Sequence, residues 1–116
     1  RTVVKEKTSY YFVNKNQNSE LIDENSPVEE IELKRKFFKL IDEMSEDKLR
    51  TLLRFWTGSE KHVRDMHMYF DDRSNVEFSA TTCQKSLSIS TRLFRSEEGL
   101  QVFDGFLTKF DNNIVN

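Results

Sequence analysis

Cys83 is the only strong nucleophile in the chain. It lies in a polar stretch, Ser79-Ala80-Thr81-Thr82-Cys83-Gln84, just ahead of an alternating apolar run. The thiolate, not the thiol, is the reactive form of cysteine, and a cysteine at the edge of a loop can be reached by a large partner. Hydroxyls of Thr81 and Thr82, with loop N–H groups, are the donors that could hold a thiolate or an oxyanion there. The same residue also fits a packing role, since a lone cysteine often serves as a small buried hydrophobe. Residue type leaves both readings open, and the exposure of the sulfur separates them.

Other groups with chemical potential read as solvated surface. His62 and His67 are five residues apart with no third ligand type beside them, which is not a zinc pattern. A protease-like Cys–His pair needs an oriented imidazole, and the spacing shows none. Asp71-Asp72-Arg73 reads as a charged turn, and Lys34-Arg35-Lys36 as a helix face balanced by Glu29, Glu30 and Glu32. There is no glycine-rich phosphate loop, zinc signature or serine nucleophile elbow. The expectation is therefore no metal and no cofactor. Eighteen basic against twenty acidic residues give a net charge of −2, without the basic excess of a nucleic-acid binder. No apolar run approaches the length of a membrane-spanning helix, and one cysteine cannot form an internal disulfide framework.

The 116 residues are enough for one domain. The chain begins at Arg1 without an initiator methionine, which fits a piece of a longer protein or a processed one. Residues 1–13 mix β-branched and aromatic side chains and suggest a short strand, while 14–26 read as an Asn-rich loop; together 1–26 are expected to be a hinge or linker. Ser26-Pro27-Val28-Glu29 has the form of a capping box with proline at the first helical position, predicting a helix over 27–43 with Leu33, Phe37, Leu40, Ile41 and Met44 on one face. A Glu32–Lys36 pair is expected on its surface. Ser45 starts a second helix with Leu49, Leu52, Leu53 and Trp56 at i, i+3, i+4, i+7, and Gly58 ends it. The short link between the two predicts an antiparallel helical hairpin. Residues 66–70 alternate as a strand, 71–82 read as loop, and 85–90 alternate serine with Leu87 and Ile89 as a half-buried strand. Ser96 caps a last helix with Leu100, Phe103, Phe106, Leu107 and Phe110 on one face, weakened by Gly99 and Gly105, and the tail after Phe110 is expected to fray. The fold class is α+β, a small sheet packed with amphipathic helices.

Several of these segments, in this order, resemble the C-terminal catalytic lobe of HECT-type ubiquitin ligases. Leu52-Leu53-Arg54-Phe55-Trp56-Thr57-Gly58-Ser59 is similar to that family's LLxFxTGS helix end. Phe37-Phe38 and Ser45-Glu46-Asp47-Lys48 resemble the run leading into it. Ser79-Ala80-Thr81-Thr82-Cys83, followed by Leu87 and Ile89, resembles the AHTC…LxL signature around the family's catalytic cysteine. Val4-Lys5-Glu6-Lys7-Thr8-Ser9-Tyr10 is similar, more loosely, to the approach to the lobe. Thr81 stands where the family usually has histidine, Lys85 where it has asparagine, Ser90 where it has proline, and Asn113 where a phenylalanine near the end is common, with Phe110 the nearest substitute.

The resemblance implies a HECT C-lobe-like catalytic domain over 27–116 that accepts ubiquitin on Cys83 as a thioester from a conjugating enzyme and passes it to a substrate lysine. Thr81 and Thr82 would support the catalytic loop. The strand Ser86, Leu87, Ser88 and Ile89 would hold the ubiquitin tail by main-chain pairing, and Phe110 would serve as the C-terminal tail phenylalanine. The implied partners are ubiquitin, a conjugating enzyme docked through a preceding lobe, and a protein substrate, with neither nucleic acid nor membrane. The implied location is cytoplasm or nucleus, where thiols stay reduced. Two other readings stand beside it: a degenerate lobe kept as a protein-interaction module, and an unrelated helical adaptor whose cysteine is filler.

Overall fold

Five strands, the inner ones with alternate side chains buried, pair into one sheet in the computed structural model, which describes residues 2–59, 64–73 and 77–115. The strands are β1 (Thr8–Val13), β2 (Ser19–Leu21), β3 (Met66–Asp71), β4 (Phe78–Thr81) and β5 (Ser86–Ser90), in the spatial order β2-β1-β3-β5-β4. The inner pairs β1/β3 and β3/β5 are parallel, and the outer pairs β1/β2 and β4/β5 antiparallel. The helices are α1 (Thr2–Glu6), α2 (Val28–Glu43), α3 (Glu46–Thr57) and α4 (Glu97–Val115), so the domain is α+β as the pattern predicts.

Period two along the strands sorts the sheet into two faces. Met66, Met68 and Phe70 of β3 and Leu87 and Ile89 of β5 are sealed on one side, where α2, α3 and α4 supply Phe37, Ile41, Leu52, Trp56, Phe103 and Leu107. Edge-to-face ring contacts tie these layers, among them Phe37–Trp56 at 6.0 Å, Phe37–Phe70 at 6.2 Å and Phe78–Phe103 at 5.3 Å. The alternate residues His67, Tyr69, Ser86 and Ser88 are half-buried on the other side.

The segment 1–26, expected as a hinge, is built into the domain. β1 lies second in the sheet, paired in parallel with β3 across more than fifty residues of chain, and Val4, Tyr10, Val13 and Ile22 are buried. The Asn-rich stretch is a tight turn between β1 and β2, in which Asn14 Oδ1 accepts from the N–H groups of Asn16 and Asn18.

Ser26 does not cap α2. Its hydroxyl accepts from the Asp23 N–H at 2.9 Å in the preceding turn, and Pro27 is the residue before the helix, its carbonyl accepting from Glu30 and Ile31. Glu32 pairs with Arg35 rather than Lys36, because Lys36 Nζ donates to the Phe94 carbonyl at 2.9 Å. α3 starts and stops as its sequence predicts. Ser45 Oγ accepts from the Lys48 N–H at 3.1 Å, and Gly58 ends the helix at φ +79° with its N–H on the Arg54 carbonyl. α2 and α3 do not form a closely paired hairpin; α3 lies along α4 and β4 and meets α2 through the Phe37–Trp56 contact.

Ser96 caps α4 by accepting from the Gly99 N–H at 3.1 Å. Gly99 is required there: a Cβ would stand 2.6 Å from the Leu93 carbonyl oxygen, a backbone atom that cannot step aside. Gly105 faces open space. The backbone of α4 remains helical to Val115, past the point where the tail was expected to fray.

Candidate functional site

β4 runs Phe78 to Thr81 directly into a 3-10 turn, Thr82–Gln84, and β5 leaves it at Ser86. Cys83 is the middle residue of that turn and is exposed. The turn closes with the Lys85 N–H donating to the Thr82 carbonyl at 3.1 Å, and Lys85 itself takes a left-handed conformation at φ 52°. That conformation costs a non-glycine residue on the order of 1 kcal/mol, so neighbouring contacts must hold it.

Those contacts come from α3. Trp56 is fully buried, and its indole N–H lies 2.9 Å from the Lys85 carbonyl and 3.1 Å from the His67 carbonyl. One donor thus pins the end of the cysteine turn to the start of β3, reinforced by the His67 N–H donating to the same Lys85 carbonyl at 2.9 Å. Two residues on, Gly58 abuts Thr82, with a Cβ at Gly58 lying 3.6 Å from Thr82 Cβ. The end of α3 and the cysteine turn, far apart in sequence, therefore meet. Thr81 and Thr82 are both exposed beside Cys83: Thr81 ends β4 on the open side of the sheet, and Thr82 sets its methyl side toward Gly58.

The expectation that residues 86–89 receive a partner's tail along their main chain is overturned. β5 is an inner strand with β3 on one side and β4 on the other, so both of its edges are occupied. Leu87 and Ile89 face the core, and Ser86 and Ser88 the open side. Among the described residues the free edge nearest Cys83 is that of β4, a strand inside the stretch expected to be loop. The Ser90 N–H donates to the Glu77 carbonyl at 2.7 Å. Alternation along an antiparallel ladder then makes Ser79/Ser88 and Thr81/Ser86 the bonded pairs, and turns the main-chain N–H and C=O of Phe78 and Ala80 outward.

The open side of the sheet is concave where outward residues are small. Tyr69, Ser79, Thr81, Gln84, Ser86 and Ser88 line part of a trough of about 600 Å³ that reaches the cysteine turn. Tyr11 stacks on Tyr69 at 5.0 Å beside it.

The remaining candidates fall elsewhere. His62 lies outside the described residues. His67 is on the open side of β3, beside Tyr11 at 6.0 Å, one strand across from Ser86. Asp71 and Arg73 pair with each other, while Asp72 Oδ1 accepts from Thr91 Oγ1 at 2.8 Å and from Arg95 at 3.1 Å, so this turn is held in structural bonds. Among the described residues no group of three or more His, Cys, Asp or Glu could hold a metal ion, and no helix is long and apolar enough to cross a membrane. Phe110 is not a free tail: it is on α4, half-buried, against Phe55 at 5.4 Å and Phe106 at 6.1 Å. Trp56 was visible in the sequence only as a core position; its helical spacing carries no sign of the turn it anchors.

No protein-family model matches the chain, and no curated protein matches it in sequence.

Proposed function

We propose that this domain is an acyl-carrier lobe of the HECT type, in which Cys83 receives ubiquitin from a conjugating enzyme and passes it to a substrate lysine in the cytoplasm or nucleus. The observation that carries the reading is Cys83 exposed at the tip of a pinned turn, at the end of a strand whose outer edge pairs with no other strand among the described residues.

The chemistry needs little more than access. The Cys83 thiolate attacks the carbonyl carbon of the thioester on the conjugating enzyme. A new C–S bond forms, the old one breaks, and the conjugating enzyme's thiolate leaves. A lysine amine of the substrate then attacks the same carbon, the C–N bond forms, the amine loses a proton to solvent or a nearby base, and Cys83 is released as thiolate. A thioester is activated toward amines, so no triad is demanded, whereas a sulfur that two proteins must reach in turn has to be exposed. Thr81 and Thr82, exposed beside Cys83 in the chain, supply hydroxyls that can support charge at the sulfur. The ubiquitin tail is held by strand addition at the outer edge of β4, through the outward main-chain groups of Phe78 and Ala80.

The test uses the full-length protein with activating enzyme, conjugating enzyme, ATP and ubiquitin. A thiol-reducible ubiquitin adduct is expected with the natural chain. Ala80→Pro removes one outward N–H while keeping every bond from β4 to β5, and should slow loading several-fold in a folded protein. Loading at the natural rate would refute strand addition at this edge.

Thr81 in place of the family's histidine favours a second reading, a lobe that has lost transfer and serves as an interaction module. A natural chain that forms no adduct, with an adduct appearing in Thr81→His, would support that reading over the first.

A further inference from the structure

A single residue joins the cysteine turn to β5. The turn ends at Gln84 and β5 begins at Ser86, so Lys85 alone sets the angle between them. It does so in the left-handed region, at φ 52° and ψ 43°. A residue bearing a Cβ is biased against that region by about five- to thirtyfold. Released into an ordinary conformation, Lys85 would turn the peptide planes on either side of it and swing Cys83, two residues back, to a new direction.

The polar groups of Lys85 are all engaged. Its N–H donates to the Thr82 carbonyl at 3.1 Å and its Nζ to the Arg64 carbonyl at 3.3 Å, while its carbonyl accepts from both the His67 N–H and the Trp56 indole N–H at 2.9 Å. The first bond closes the turn on itself, the second is exposed, and the third belongs to the pairing of β3 with β5. The indole bond comes from outside the sheet, and from a residue that is fixed. Trp56 is 0% exposed and sits edge-to-face against Phe37 at 6.0 Å. The end of α3 therefore grips the turn on both flanks of the cysteine: Gly58 abuts Thr82 before it, and Trp56 holds Lys85 after it. Cys83 is exposed between them and takes its direction from these neighbours.

Acyl transfer is sensitive to that direction. The sulfur must come within about 3–3.5 Å of a carbonyl carbon along one line of attack, and a misplacement of about 1 Å can cost on the order of a hundredfold in rate. We propose that Trp56 is a positioning residue of the Cys83 reaction, acting through Lys85. The indole N–H holds residue 85 left-handed, and the left-handed residue aims the sulfur. This rests on the carrier reading above and extends it to a side chain sealed in the core. The two positions are coupled, because the indole is needed only while residue 85 is one that the left-handed region penalises.

The experiment measures single-turnover loading of the full-length protein from ubiquitin carried as a thioester on its conjugating enzyme, over a range of carrier concentrations. Trp56→Phe keeps a ring in the core and removes the donor. Its rate at saturation should fall roughly tenfold, with the half-saturating carrier concentration within about twofold. In a Lys85→Asn background the same change should cost less than about threefold, since asparagine tolerates the left-handed region. A loss of packing alone would cost the same in both backgrounds. With Trp56 intact and the core untouched, Lys85→Val places a β-branched residue where the region excludes it, and should load more slowly at saturation than Lys85→Asn. An undiminished saturating rate in Trp56→Phe, an equal loss in both backgrounds, or equal rates in Lys85→Val and Lys85→Asn overturns the positioning role and leaves the carrier reading intact, as does a change confined to half-saturation. No adduct on the natural chain overturns the carrier reading, and the positioning role with it.

Discussion

The two faces of the sheet are made by the same strands and have opposite characters. On the helix side Met66, Met68, Phe70, Leu87 and Ile89 are sealed at 0–1% exposure among aromatic rings. On the open side their immediate neighbours are His67, Tyr69, Ser86 and Ser88, with Ser79 and Thr81 across on β4. A single residue of register separates the two sets, so stability and accessibility are distributed by alternation alone. Cys83 stands where the two regimes meet. Its turn is anchored from the sealed side by Trp56 and presented on the open side with Thr81 and Gln84.

That contrast can be broken most severely at Trp56. Trp56→Ala should cost about 3–5 kcal/mol, seen as a large fall in the denaturant midpoint. Trp56→Phe should cost roughly 1–3 kcal/mol, because the ring volume is mostly kept while the donor to the Lys85 and His67 carbonyls is lost. Amide exchange at His67 and Lys85 should rise in Trp56→Phe; exchange equal to that of the natural chain would show that the indole does not hold the turn. On adjacent residues of β5, Leu87→Ala should cost about 2–5 kcal/mol and Ser88→Ala less than about 0.5 kcal/mol, measured by urea unfolding. Equal costs would mean the two faces are not distinct.

The glycines of α4 give a sharper and smaller test. Gly105→Ala should stabilise by about 1 kcal/mol, since its position is open. Gly99→Ala should destabilise despite the same gain in helix propensity, because the new methyl meets the Leu93 backbone. Thermal melts of the two variants should move in opposite directions.

The smallest effect is electrostatic. Desolvation, with Glu20 and Glu29 nearby, raises the Glu30 pKa above its ordinary value. The folded state therefore holds this proton more tightly than the unfolded chain. The stability contributed by the protonated form is fully present below the ordinary glutamate range and is lost as pH rises through the raised value. Glu30→Gln should accordingly raise the melting temperature slightly at pH 7 and leave it unchanged at pH 3; a larger gain at pH 3 would reverse the sign.

Local patterns were legible where one helix or strand sufficed to express them. Ser45, Leu49, Leu52, Leu53, Trp56 and Gly58 spell α3 from cap to stop, and Ser86 to Ser90 spell a half-buried strand. Pairing order was not legible, because it is settled by residues far apart. Nothing in Thr8–Val13 announces that it joins β3 and becomes an inner strand, so residues 1–26 read as a linker. β4 has only Phe78 and Ala80 on its core side and was lost in a polar stretch. Main-chain pairing of a tail with residues 86–89 needs an open edge on β5, and β4 covers that edge. Ser26 had the right spacing for a cap but was drawn into the Asp23 turn, a competition between two local hydrogen bonds that spacing does not resolve. The position of Cys83 between an alternating run and a polar loop was visible; its support by Trp56 was not, since the indole donor acts across three elements.

The most direct measurement is the fate of the ubiquitin adduct on the full-length protein when residue 83 is changed. The natural chain should form a covalent adduct that a thiol reductant removes, and Cys83→Ser should form none that a reductant can remove, leaving at most a reductant-stable oxyester. A reducible adduct that persists in Cys83→Ser, or the absence of any adduct on the natural chain, would contradict the proposal that Cys83 is the acyl carrier.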